Sequence, residues 1–270
     1  MTNTAANPTL AAESAPYTRA FYEQQQQGSY QSALRVLPQV LQLIPVRSVV
    51  DVGCGVAAWL AAAQKLGVDD VLGIDGDYVD RSTLLIAAEN FCPRDLTRPF
   101  GVDRVFDLAM SLEVAEHLPA SSAESFIESL VALSPVILFS AAVPAQTGTN
   151  HINEQWPTWW IEHFRKFGFV PVDCIRRRIW NDPKVEWWYA QNTLLMVRDD
   201  YLQSSPLLLE EARKSAGPFA IVHPRAFRER LASERRSAAG FRQWLAAGPS
   251  VIRASASRIL RRLTRSTLTS

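Results

Sequence analysis

Ser48-Val49-Val50-Asp51-Val52, followed by Gly53-Cys54-Gly55, is the stretch on which the fold turns. Five residues rich in β-branched side chains read as a buried strand, and the two glycines as a tight turn. The Ala-rich run Val56 to Leu66 reads as a helix, with Gly67 suited to its C-cap. The same alternation continues downstream. Val71 to Asp75 predicts a second strand, Arg81 to Ala88 a second helix and residues 89–96 a short third strand. Val105 to Leu112 predicts a fourth strand, Ala120 to Leu133 a helix, Val136 to Ser140 a fifth strand and Glu154 to Phe167 an aromatic-rich helix. Strands alternating with helices form βαβ units and a doubly wound, mostly parallel sheet.

The last two strand candidates, Val170 to Trp180 and Asn192 to Val197, lie close together with no helix predicted between them. Strands joined without a crossover pair antiparallel. The expected architecture is therefore α/β: a doubly wound, seven-stranded, mostly parallel sheet closed by an antiparallel terminal hairpin. Upstream, Tyr17 to Ile44 has a helical pattern, with a break expected at Gly28 and a kink or restart at Pro38. Ala33, Leu34, Leu37, Val40, Leu41 and Ile44 form its apolar stripe. The chain thus divides into a disordered N-terminus at 1–16, a helical cap at 17–47, the α/β domain at 48–200 and a basic helical extension at 201–270.

The 270 residues are 47% hydrophobic and 20% charged, enough for a substantial core, and the net charge of +1 gives no global reason to bind nucleic acid or an anionic membrane. Cys54, Cys92 and Cys174 are too few and too scattered for a disulfide framework and are expected to be reduced thiols. Met1 to Pro16 lacks the cationic flank and apolar run of a secretory signal, and no apolar run approaches the ~20 residues that span a bilayer. A cytoplasmic location is the expectation.

Glycines in the turn let the backbone bend sharply and approach a ligand without Cβ interference. Asp75, ending the second strand, is placed to accept hydrogen bonds from ribose hydroxyls. Both NAD and S-adenosylmethionine (SAM) suit such a site, but their charges differ. Asp51, just before the turn, repels a pyrophosphate and attracts a sulfonium and an ammonium group. The third glycine of a dinucleotide turn is also missing, since Ala58 stands there. An NAD-binding oxidoreductase is therefore the rival reading.

At these residues the sequence resembles the class I SAM-dependent methyltransferases. Val49 to Gly55 is similar to their first motif, Gly73-Ile74-Asp75 to their second, and Phe106 to Leu118 to their fourth-strand motif; the resemblance spans about residues 45–198. It implies a Rossmann-like methyltransferase fold and SAM as cofactor. Asp51, Gly53, Cys54 and Gly55 are expected to hold the methionine part, Asp75 and Gly76 the ribose, and Ser111, Leu112 and Glu113 the cofactor floor. Asp95 is the candidate acid beside the adenine. Ala57 replaces the usual third glycine, which is expected to narrow the room near the methionine.

The expected reaction is methyl transfer to a small-molecule hydroxyl of a sugar or secondary metabolite. The loop Thr149 to Pro157 offers His151 as general base, with His117 in reserve. Asn150 or Asn153 is the expected cap of the next helix. Glu113, Glu116, Asn150 and Glu154 are the only set that suggests a metal, no spacing compels it, and none is expected. Trp156, Trp159, Trp160, Trp180, Trp187, Trp188 and Tyr189 suit either acceptor stacking or core packing, and Tyr17, Phe21 and Tyr22 either a lid or a packed helix. Eleven arginines from Arg225 to Arg265 face only Glu229 and Glu234 in the extension. That pattern suits peripheral contact with a membrane or an acidic protein and gives no specific nucleic-acid partner. A non-catalytic relative acting through this tail is the second rival.

Overall fold

The computed structural model describes residues 19–236, with side chains from residue 27 onward. The predicted disorder at 1–16, the lid residues Tyr17, Phe21 and Tyr22, and the arginines from Arg242 to Arg265 lie outside the described residues. The seven strands are β1 (Ser48–Val52), β2 (Asp70–Asp75), β3 (Phe91–Pro93), β4 (Leu108–Leu112), β5 (Val136–Ser140), β6 (Phe169–Val172) and β7 (Leu194–Arg198). They form one sheet in the order β3-β2-β1-β4-β5-β7-β6. β7 runs antiparallel to both β5 and β6, and all other pairings are parallel. The predicted terminal hairpin is present, with its second strand inserted between β5 and β6.

Helices α1 (Arg19–Leu41), α2 (Ala58–Lys65), α5 (Arg176–Ile179), α6 (Trp187–Asn192), α7 (Asp199–Ser204) and α8 (Pro206–Arg213) share one sheet face; α3 (Ala123–Leu133) and α4 (Pro157–Arg165) take the other. Strand residues alternate between the two cores, Val49 and Leu138 to the first, Val50 and Ile137 to the second. Both faces are covered, so the strands read as continuous apolar runs rather than alternating ones. Residues up to Ile221 form one compact unit and those from Val222 a second. In the second, residues 224–236 are helical and carry the exposed pairs Arg225–Glu229 and Arg230–Glu234. Among the described residues no helix is long and apolar enough to cross a membrane.

Four sequence expectations need correction. α1 runs unbroken through Gly28 and Pro38. Gly28 marks close approach to the segment before α6, since a Cβ there would stand 2.8 Å from Glu186 Oε1. Beside it the Ser29 and Tyr189 hydroxyls lie 3.1 Å apart, and Ser32 Oγ accepts from the Glu186 amide at 3.0 Å. The predicted helix at Arg81 to Ala88 is absent. Two single turns, Arg81–Thr83 and Ala88–Asn90, flank an extended segment in which the Leu85 amide bonds to the Val56 carbonyl at 2.9 Å. A tertiary bond has overridden helix propensity. β4 begins at Leu108 rather than Val105, because the Asp107 carboxylate accepts from the Arg47 and Ser48 amides at the start of β1. Finally, the β6–β7 connection holds α5 and α6, each too short to show helical periodicity.

That connection is anchored by Arg176, 1% exposed and the one arginine buried among the described residues. Its guanidinium donates to both Asp173 oxygens and to the carbonyls of Gln191 and Phe219. A buried guanidinium is tolerable only when so fully paired. Arg176→Leu strands Asp173 and two carbonyls, and because Asp173 retains partial solvent contact the expected loss is about 3 kcal/mol of unfolding free energy by denaturant titration. A loss under ~1 kcal/mol contradicts this account of the connection.

Candidate functional site

The glycine turn is bolted to β2: the amides of Gly53 and Cys54 both point at the Ile74 carbonyl, at 2.7 and 3.3 Å. Its two glycines serve different ends. Gly53 has φ 81°, and a Cβ would come within 2.3 Å of Val114 Cγ2, so packing alone requires glycine. Gly55 has φ 53°, but a Cβ there would meet nothing within 4 Å. It faces open space where a ligand can lie against bare backbone. Ala57 is fully buried with φ 65° and lines neither cavity described below. The expectation that it narrows the ligand space is corrected; its consequence is a left-handed backbone that alanine adopts at a cost.

Two acids end the two central strands side by side. Asp75 accepts from the Gly55 amide at 2.7 Å, the Gly76 amide at 2.6 Å and the Tyr78 hydroxyl at 2.6 Å. Asp51 is 3% exposed; burial, and then the charge of Asp75, push its pKa up to about 8. Burial followed by the same two acids also raises the Cys54 thiol well above its ordinary range, leaving it protonated.

A cavity of about 290 Å³ is lined by Asp51, Gly53, Cys54, Gly55, Leu112 and Glu113, with Trp59, Trp188 and Tyr189 among the other walls. A larger one of about 720 Å³ is lined by Asp75, Gly76, Tyr78, Asp95, Glu113 and His117. Gly53 and Glu113 line both. Of the residues expected to hold a cofactor, only Ser111 lines neither; it lies one position deeper in β4, fully buried. Asp95 stands at the wall of the larger cavity, its carboxylate accepting from the Thr97 amide and hydroxyl. An acid pair, a bare glycine and a strand-end carboxylate fit a ligand bearing positive charge and vicinal hydroxyls. They do not fit a pyrophosphate.

Glu113, at the junction, takes φ 57° and accepts from Asn192 Nδ2 at 3.0 Å and Gln146 Nε2 at 2.8 Å. Burial raises its pKa against the pull of these donors and of Ser140. His117 reaches the larger cavity, and burial followed by the neighbouring His151 lowers its pKa. His151 stands behind it, ring centroids 4.8 Å apart at 85°, and lines neither cavity. Its Nδ1 lies 2.9 Å from Glu154 Oε1. The expected ranking of the two histidines is thereby reversed with respect to access.

Neither Asn150 nor Asn153 caps α4, whose first residue is Pro157 after Trp156. Asn153 is buried instead, its amide bonded to the Glu116 carbonyl. Trp160 is core and Trp156 is exposed, while Trp188 and Tyr189 line the smaller cavity. Tyr78, Asn192 and Gln146 escaped sequence reading, since each acts through a contact that only the folded chain creates. All three cysteines are free.

A family model described as a methyltransferase domain matches residues 22–191. No curated protein sequence matches the chain. Among solved structures, the sugar N-methyltransferase KedS8 from Streptoalloteichus sp. ATCC 53650 is 14% identical over 73% of this chain and 99% of its own, with a TM-score of 0.51. DesVI from Streptomyces venezuelae is 14% identical over 66% of this chain and 95% of its own, with a TM-score of 0.48. At such identity the likeness concerns the fold.

The contrast between the two glycines is measurable. Gly53→Ala meets Val114 as well as the left-handed backbone and is expected to lose more than ~3 kcal/mol of stability. Gly55→Ala meets only the backbone term and is expected to lose about 1–2 kcal/mol. Equal losses in denaturant titrations contradict the division of labour.

Proposed function

The chain belongs to this methyltransferase family, the class I SAM-dependent enzymes, and from that premise we propose that it methylates a hydroxyl of a small molecule, a sugar or secondary metabolite. The observation that carries the choice of acceptor is the extent of the larger cavity, which runs from Asp75 and Asp95 past Glu113 to His117. SAM, when bound, supplies a methyl group already activated on a sulfonium.

The residues of this chain divide the remaining work. Asp51 and the Gly55 backbone hold the cationic methionine end in the smaller cavity, and Asp75 takes the ribose hydroxyls. Tyr78 is exposed, and its hydroxyl occupies an Asp75 oxygen. It is therefore the group a bound nucleoside displaces. Glu113, fixed by Asn192 and Gln146, forms the wall between the two ends. His117 presents a polar edge to the acceptor, with His151 behind it. A hydroxyl must lose a proton to become a good nucleophile, whereas a neutral amine need not, so imidazoles at this edge favour O-methylation. The name of KedS8, a sugar N-methyltransferase, supports a sugar as the class of acceptor.

The dinucleotide reading is disfavoured by the two acids at the turn. Contact of the basic extension with a membrane or acidic protein remains a proposal resting on its arginines.

Incubation with methyl-labelled SAM and a panel of sugars and metabolite alcohols, read by mass spectrometry, tests the reaction; labelled amines without labelled alcohols contradict it. With an active acceptor, His117→Ala should lower kcat by ~100-fold while SAM affinity stays within about threefold. Near-normal turnover removes His117 from the acceptor edge.

A further inference from the structure

Behind the acceptor edge a third group joins the histidine pair. Glu116 and His117 stand on the single turn Ala115–His117 after β4, and His151 on the loop after β5. One ligand atom from each lies within 4.8 Å of the other two.

Glu116 is the unexplained residue. It is 0% exposed, and neither carboxylate oxygen makes a well-formed hydrogen bond. Buried polar groups without partners are rare in native interiors, and buried charges are paired or bound to metal.

The surroundings are built. The Glu116 carbonyl accepts from the amides of Ile152 and Asn153 at 2.9 and 3.0 Å, which clamps the β5 loop onto the turn and brings His151 over His117. His151 Nδ1 faces Glu154 Oε1 at 2.9 Å, and Glu154 is itself held by the amides of Ala145 and Thr147, each at 2.8 Å. An imidazole whose one nitrogen donates to a fixed carboxylate has its tautomer set and its other nitrogen free to ligate.

We propose that Glu116, His117 and His151 bind a divalent first-row transition-metal ion, with its open positions toward the larger cavity. Two imidazoles and one carboxylate suit zinc, manganese, iron, cobalt or nickel better than calcium or magnesium, which favour all-oxygen sets. Ligands at ~2.1 Å in tetrahedral array stand about 3.4 Å apart, so the three side chains close by about 1 Å around the ion. Through an open position the ion takes the acceptor's hydroxyl oxygen and makes its proton easier to lose to water, so His117 and His151 assist deprotonation as ligands of the ion and not as the base itself. That role rests on the hydroxyl-methylation reading; binding of the ion does not.

Full-length protein stripped by a chelator is titrated with Co²⁺ alone and followed by visible absorption. One equivalent giving a visible band that Zn²⁺ displaces is expected. Glu116→Gln and His151→Asn should weaken Co²⁺ by ~100-fold or more, and Glu154→Gln by ~10-fold. SAM binding by calorimetry checks that each variant is folded. Because His117 is exposed, His117→Asn supplies a ligand loss that leaves the interior intact. No band in the wild type, or wild-type affinity in His117→Asn and in whichever buried-ligand variants fold, overturns the site. Metal binding without any methylated alcohol sinks the reaction instead, and methylation by metal-free protein without a cobalt signal sinks the site.

Discussion

Two carboxylates held side by side at the ends of adjacent parallel strands are the constraint on which this molecule depends. The register that pairs Asp51 with Gly73 sets the end of β1 beside the end of β2, where Asp75 stands. Both side chains are buried, so the two charges cannot coexist cheaply without a cation, and Asp51 keeps its proton to about pH 8. The unfolded chain gives up that proton near pH 4, so this acid's contribution to ligand-free stability falls as pH rises from about 4 through about 8. A cation in the smaller cavity reverses the preference. The turn is thus a site that is uncomfortable when empty and satisfied by a positively charged cofactor.

The rest of the site is arranged around that pair. Asp75 orients the turn through the Gly55 amide, which aims bare backbone into the cavity. Gly53 lets the turn pass under Val114, and Val114 begins the segment that carries Glu116 and His117. The glycine needed for packing therefore also positions the acceptor edge. Glu113 joins the two cavities, and its partners Asn192 and Gln146 come from α6 and the β5 loop. One residue ties the sheet's antiparallel end to its cofactor end.

Much of this was legible in sequence. β1 and β5 fall where their apolar runs place them, and the mostly parallel pairing follows from the alternation of strands and helices. Asp51, Gly53, Gly55 and Asp75 were legible because charge and conformational freedom are local properties. Gly28 and Pro38 misled because α1 is stabilised by packing on α2 and α6 rather than by propensity. Arg81 to Ala88 misled because a single bond from Leu85 to the Val56 carbonyl holds it extended. The convergence of Glu116 with His117 and His151 was invisible for another reason. It depends on the Glu116 carbonyl capturing the Ile152 and Asn153 amides, a contact that no periodicity records. Of the set weighed and set aside as a metal site, Glu113 is held in hydrogen bonds and Asn150 in a left-handed turn.

The central claim is that the paired acids exchange a proton for a cationic cofactor, and calorimetry reads this directly. SAM is titrated into the protein at pH 7 in two buffers of different ionisation enthalpy. The account predicts release of about one proton for each SAM bound, and none with Asp51→Asn. SAM binding with no proton release in the wild type, or with the same release in Asp51→Asn, contradicts it.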